Sequence, residues 1–175
     1  MIYLVAFAAS LGMFALYVAS RPSAFRIERS LTIDASAEAI FGLINDFHEW
    51  GRWSPWDKLD PTMSKTFEGA ASGVGAVYRW RGNNKAGEGS MTLVESAPSS
   101  RVVISLAFLK PFAATNKTIF TLEPDGAATR VTWAMEGDNA FPAKLFGVFM
   151  NMDELVGKDF TAGLANLRDA VVTKA

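Results

Sequence analysis

The C-terminal stretch from Pro142 to Val172 constrains this chain more than any other. Leu145, Phe149, Met152, Val156, Phe160, Leu164, Leu167 and Val171 recur every three or four residues. That spacing puts them in one stripe along a helix. Asp153, Glu154, Lys158, Asp159, Arg168 and Asp169 fall mostly on the other side, which meets water. Pro142 suits the first helical turn, where a missing N–H costs nothing. A single helix of this length runs roughly 45 Å at about 1.5 Å per residue. It cannot bury such a stripe against itself, so the segments before it must supply the other wall. The expected architecture is a sheet wrapped around one long C-terminal helix.

The other end of the chain has a different character. Met1 to Ser20 carries no charged side chain, and its apolar residues fill every side of a helical wheel. Twenty residues in a helix span about 30 Å, the thickness of a bilayer core. Tyr3 and Tyr17 lie near the two ends, where interfacial aromatics belong. The segment is expected to be a single transmembrane anchor. A cleaved signal peptide is the alternative: Val18-Ala19-Ser20 offers small residues to a peptidase, but no Lys or Arg precedes the apolar run. A buried core helix is the third reading. Arg21, Arg26 and Arg29 follow at once, and the positive-inside bias then sets the globular part on the cytoplasmic side. Residues 21–24 read as a linker and 25–175 as one domain.

Between the two ends the chain reads mostly as antiparallel strands. Phe25 to Ile33 keeps apolar residues on odd positions apart from Arg29. Asp34 or Ser36 caps a short helix carrying Ile40, Phe41 and Ile44, with Gly42 a weak point in it. Trp50, Trp53 and Trp56 then fall within seven residues around Gly51 and Pro55. This is a corner whose tryptophans plug one end of a core or wall an apolar ligand. Strands follow at Met63–Glu68, Ala76–Arg81, Ser90–Glu95, Val102–Phe108, Lys117–Leu122 and Thr129–Glu136, with Lys110-Pro111-Phe112 ending the fourth of these. Gly82–Gly87 is a hairpin loop, and Pro124-Asp125-Gly126 is a strong turn signal.

Composition removes several classes of chemistry. The chain has 175 residues, with Lys and Arg totalling 17 against 18 for Asp and Glu. That balance gives no reason to expect a nucleic-acid partner. There is no cysteine and a single histidine, His48, so neither disulfides nor a multi-histidine metal centre can form within one chain. No cofactor or metal is expected. No nucleophile elbow, phosphate loop or dinucleotide fingerprint is present. His48 beside Asp46 and Glu49 is the one general acid–base candidate; the plainer reading is an exposed histidine at a helix end. Arg79 and Arg81 alternate with Tyr78 and Trp80, and so face solvent or, as a lesser reading, grip an anionic headgroup at a cavity mouth.

Several short motifs occur in a telling order: Ser54-Pro55-Trp56, Gly75-x-x-Tyr78-x-Trp80, Gly87-x-Gly89, Glu95-Ser96-x-Pro98, Thr129-Arg130-Val131-Thr132-Trp133 and Gly163-Leu164-x-x-Leu167. Together these resemble the SRPBCC superfamily, in its polyketide cyclase/dehydrase and lipid-transport branch, related to START domains. The resemblance covers residues 25 to 173 and leaves the N-terminal helix outside. It implies a helix-grip α+β fold, with a curved antiparallel sheet of six to seven strands around the C-terminal helix and a deep apolar cavity between them. Trp53, Trp56, Tyr78, Trp80, Phe108, Phe120, Trp133, Met135, Phe149, Met152 and Phe160 are the candidate lining residues. Each taken singly is ordinary core. As a set, aromatics and methionines replace the Val, Ile and Leu of a tighter core. Gly147, Gly157 and Gly163 each weaken the long helix by about 1 kcal/mol relative to Ala, which leaves room for a ligand or for close strand contact. Three functions fit this fold: a membrane-tethered carrier of a lipid or other hydrophobic small molecule, a cyclase-like enzyme, or an interaction module whose cavity is filled.

Overall fold

A computed structural model describes residues 1–111 and 113–172. Phe112, read above as ending a strand, and residues 173–175 lie outside the described residues. The first element is helix α1, Ile2–Ser20, followed by strand β1, Ala24–Ile33, and helix α2, Ala37–Asn45. Two short 3-10 turns, Phe47–Arg52 and Trp56–Lys58, lead into the sheet. Strands β2 (Ser64–Gly69), β3 (Ala76–Arg81), β4 (Glu88–Ala97), β5 (Arg101–Lys110), β6 (Ala114–Asp125) and β7 (Ala128–Asp138) follow. Helices α3 (Phe141–Phe149) and α4 (Met152–Val172) complete the described chain.

The seven strands form one antiparallel sheet in the order β1-β7-β6-β5-β4-β3-β2. Strand β1 therefore closes the sheet against the last strand, with Ile27 opposite Met135 and Arg29 opposite Trp133. Alternation along the strands separates two faces. Tyr78, Met91 and Leu106 are successive neighbours on the inner face, as are Phe120 and Trp133. Helix α4 lies across that face and buries Phe160, Leu164, Leu167 and Val171. This is the helix-grip α+β fold, with α1 added at the N-terminus.

The short helix α2 begins where Ser36 accepts a hydrogen bond from the Ala39 N–H at 3.3 Å. It ends against tryptophans. Trp53 Nε1 donates to the Leu43 carbonyl at 3.1 Å and Trp50 Nε1 to the Ile44 carbonyl at 3.0 Å. The last carbonyls of a helix have no partner within it, and the two indoles meet that need while plugging the end of the core.

The C-terminal helix is not continuous. Met150 is extended, with φ −129° and ψ 131°, and splits the expected helix into α3 and α4. The break swings the first part of the apolar stripe away from the sheet. Phe149 is 74% exposed and Met152 43% exposed, whereas the stripe from Val156 onward packs against the core. Arg29, the one break in the alternation of β1, explains where α4 is held. Its guanidinium donates to both carboxylate oxygens of Asp153, at 3.1 and 2.9 Å, and to the Asp153 carbonyl at 2.9 Å. It crosses α4 at Gly157, where a Cβ would lie 2.0 Å from Arg29 Nη2. The hydrogen bonds from Arg29 hold the Asp153 carboxyl below its ordinary pKa.

The helix glycines thus differ in meaning. Gly157 and Gly163 permit close contact, while Gly147 has open space around it. Gly42 in α2 is equally open. Gly42→Ala should raise stability by about 0.5–1 kcal/mol through helix propensity alone. Gly163→Ala places a methyl 2.6 Å from Trp133 Cζ3 and should cost about 1–3 kcal/mol as an overpacked contact. Thermal unfolding of the full chain in detergent, followed by near-UV circular dichroism, separates the two. Equal shifts in one direction would contradict the close packing of α4 on Trp133.

Candidate functional site

Between the inner face of the sheet and α4 lies a cavity of about 220 Å³. Its floor comes from neighbouring strands, where Tyr78, Met91 and Leu106 stand side by side. Further along, Gly89 faces Trp80 on one side and Phe108 on the other. A Cβ at Gly89 would sit 2.5 Å from Trp80 Cη2. The absence of a side chain there lets the indole lie across the strand and meet Phe108 edge-on, 5.9 Å between centroids. The opposite wall is Trp133 stacked on Phe160, 4.4 Å apart and 7° from parallel, with Trp56 edge-on to both.

The polar groups on this lining are few and largely engaged with one another. The Tyr78 hydroxyl donates to Asp57 Oδ1 at 3.2 Å. Asp57 is in turn ion-paired with Lys65. Burial, and then the Asp57 charge, push the Tyr78 phenol above its ordinary pKa, so it stays protonated at neutral pH. Trp80 Nε1 donates to the Ala86 carbonyl at 3.0 Å. Thr118 adds a buried hydroxyl-bearing side chain to the wall. The indole N–H of Trp133 is buried with no acceptor, a donor that costs about 1–3 kcal/mol while unmet.

Leu59 and Lys85 are lining residues that are also exposed, and they mark the mouth. Asp60 ties the two loops there together. Its Oδ1 accepts from the Thr62 hydroxyl at 2.7 Å and the Thr62 N–H at 2.9 Å, and its Oδ2 accepts from the Asn83 N–H at 2.7 Å. The Thr62 hydroxyl foremost, then the two amides, hold the Asp60 carboxyl below its ordinary pKa.

Of the eleven candidate lining residues, the structure brings together Trp56, Tyr78, Trp80, Phe108, Trp133, Met135 and Phe160. Trp53 and Phe120 stand behind the wall, each fully buried and packed edge-on at 6.0 Å. Phe149 and Met152 lie elsewhere, in an open groove that α3 and the start of α4 form with Arg21 and Pro22, because Met150 breaks the helix before the stripe reaches the cavity. His48 is on the surface. Its Nδ1 lies 2.8 Å from Asp46 Oδ1 and its ring stacks on Phe67 at 4.2 Å, and Glu49 pairs with Arg52, so the acid–base candidates sit off the cavity. Arg79 and Arg81 point to the outer face, paired with Glu68 and Glu88. Among the described residues no three His, Cys, Asp or Glu side chains cluster as metal ligands would.

The model of the polyketide cyclase / dehydrase and lipid transport family matches residues 24–172. The chain belongs to this family. The match begins at the first residue of β1 and leaves α1 outside it. No functionally curated protein matches the chain. Among solved structures, a Thermobifida fusca protein superposes with a TM-score of 0.61 at 22% identity, covering 83% of this chain and 92% of its own. The Aha1 dimer from Colwellia psychrerythraea gives 0.60 at 18%, covering 84% and 96%. Protein MLL2253 from Mesorhizobium loti gives 0.61 at 14%, covering 86% and 99%. At these identities the likeness is one of fold. Membership in the polyketide cyclase / dehydrase and lipid transport family makes this a hydrophobic-ligand domain of the SRPBCC type.

Sequence reasoning missed Met91, Leu106 and Thr118, which line the cavity with its aromatics. Strand alternation carries that signal once pairing is known, since Met91 is the cross-strand neighbour of Tyr78 and Leu106 that of Met91. Asp57, Asp60 and Lys85 come from loops, where no periodicity marks them.

The Asp60 contacts generate a pH expectation. A carboxyl with a depressed folded-state pKa contributes stability above the ordinary carboxylate value, about 3.9, and loses it as pH falls through the lower folded value. Asp60→Asn should loosen the mouth loops at neutral pH and flatten this part of the acid dependence. Amide exchange at Asn83 and Thr62 reads it directly. Unchanged protection of both amides in the variant would contradict the assigned role.

Proposed function

We propose that this chain is a membrane-tethered binding protein for a lipid or other hydrophobic small molecule, held without catalysis in the cavity between the sheet and α4. The single observation that carries the reading is the cavity itself. At about 220 Å³ it exceeds the roughly 150 Å³ apolar cavity that stays dry and takes up benzene. It falls just short of the ~300–1,000 Å³ usual for small-molecule pockets. A single ring system or one short hydrocarbon tail fits it; a whole two-chain lipid does not. A filled-cavity interaction module leaves this space unexplained.

The chemistry of the lining favours a carrier over a cyclase. Tyr78, Asp57 and Lys65 satisfy one another, and His48 stands outside the cavity. The family description names both cyclase/dehydrase chemistry and lipid transport, and the lining fits the second. Tethering rests on α1, whose Tyr3–Ser20 stretch is long and apolar enough to cross a membrane and is 6% buried. Antiparallel register supports the pairing of tether and cavity. Residues 82–87 at the mouth join β3 to β4 at the end of the sheet where β1 leaves α1 and β7 runs on to α3. A ligand leaving the bilayer beside α1 therefore meets the open end of the cavity, at the raised effective concentration that tethering supplies. Arg21, Arg26 and Arg29 favour a cytoplasmic domain.

Calorimetric titration of a short fatty acid such as decanoate into the full chain in phospholipid nanodiscs, with empty nanodiscs as the blank, tests the reading. Saturable one-to-one uptake is expected. Leu106→Trp, which fills the cavity from a half-buried position, should weaken it at least about tenfold, or 1.4 kcal/mol, with the fold retained. Equal uptake by the filled variant would move binding out of the cavity. The intact mass of the membrane-fraction protein should include residues 1–20; a chain starting after Ser20 would remove the tether.

A further inference from the structure

The cavity wall carries polar groups that the protein itself leaves unmet. Trp133 Nε1 is buried without an acceptor. Ser54 and Thr118 line the same cavity, each only 4% exposed. Neither hydroxyl makes a hydrogen bond with a described residue. The large majority of buried polar side-chain atoms have a partner, so three without one around a single apolar cavity call for a ligand atom. Tyr78 and Trp80 show the ordinary case on the same lining, where the hydroxyl and the indole N–H both donate to protein acceptors.

The register of the sheet places these groups. Gly89 and Phe108 form the row nearest the 82–87 loop, and Met91 and Leu106 the next row of the inner face. Thr118 pairs with Ile104, two residues further from the loop, and with Met135 on its other side. Trp133 pairs with Phe120, two residues further again. Each such step is about 7 Å along a strand. Ser54 stands between Trp53 and Trp56, whose rings meet Trp133 edge-on at 5.6 and 5.4 Å. The unmet groups therefore gather toward the end away from the mouth.

Charge narrows what they can hold. Asp57, Tyr78 and Lys85 are the ionisable residues of the lining. Asp57 is engaged with Tyr78 and Lys65, and Lys85 is exposed at the mouth. The lining thus supplies no cation at the inner end, and an unpaired carboxylate would be costly to bury there. A neutral oxygen accepts from an indole N–H and from hydroxyls without that cost.

We propose that the inner end of the cavity is a hydrogen-bonding subsite for one neutral oxygen, carbonyl or hydroxyl, of a small hydrophobic ligand bound oxygen-first against Ser54, Thr118 and Trp133. The proposal rests on the cavity-binding reading above and narrows its ligand to a neutral oxygen-bearing compound. A fatty acid enters tail-first, with its carboxylate at Lys85, and leaves the subsite unmet.

Acetophenone and α-methylstyrene are matched probes, because a terminal methylene replaces the carbonyl oxygen in nearly the same shape. Each is titrated into the full isotope-labelled chain in phosphatidylcholine nanodiscs, with empty nanodiscs correcting for lipid uptake and the indole N–H resonances as readout. Thr118→Val and Ser54→Ala should each weaken acetophenone binding about threefold to tenfold, the worth of one neutral hydrogen bond, and leave α-methylstyrene binding unchanged. The Trp133 N–H resonance should move downfield with acetophenone only. A variant effect equal for the two probes, with Leu106→Trp still excluding both, would overturn the subsite and leave the cavity reading standing. Binding of neither probe to the unaltered chain would overturn both.

Discussion

Trp133 lies flat against Phe160, 4.4 Å between ring centroids, and the edge of its indole fills the notch left by Gly163. The distance between α4 and the sheet follows from that contact. A larger residue at position 163 would push the helix outward, and a smaller ring at 160 would let it collapse. The same stack is one wall of the cavity, so core and site share their central pair. Arg29 repeats the arrangement one strand away, where its guanidinium crosses Gly157 and grips the first turn of α4. Helix α4 is thus located at two points, by an aromatic face and by an ion pair. The space beyond them is left open because Gly89 admits the Trp80 ring across β4.

The stability of such a lining is bought with unusual residues. Aromatic pairs add about 0.5–1.5 kcal/mol each beyond their buried area, and the run from Trp50 through Trp53, Phe120 and Trp133 to Phe160 is connected by such contacts. This network holds the walls rigid without filling the middle. An all-aliphatic core would close over the same volume. The network also explains the corner between α2 and β2: the indoles of Trp50 and Trp53 finish α2, and Trp56 reaches back to the stack.

Much of this was legible in the sequence. Strand alternation located the strands of the sheet, and the spacing from Val156 to Val171 predicted the face of α4. Seven of the eleven candidate lining residues meet at the cavity because inner-face position is a period-two property. The rest needed information that one-dimensional patterns do not hold. The stripe runs unbroken through Phe149 and Met152, so nothing in its spacing shows that Met150 is extended. Trp53 and Phe120 have the chemistry of lining residues, and only depth separates them from it. Asp60 and Arg29 depend on partners 23 and 124 residues away, beyond the reach of local patterning. Arg29 did signal itself, as the single charged residue in an apolar alternation.

The central claim is that the cavity holds one hydrophobic molecule. Native mass spectrometry of the full chain released from nanodiscs, followed by organic extraction, tests it most directly, with Leu106→Trp run in parallel. The account predicts a stoichiometric adduct on the unaltered chain that extracts as a single-ring or single-tail hydrophobic compound, and none on the filled variant. A clean protein mass for the unaltered chain, or the same adduct on both, would contradict it.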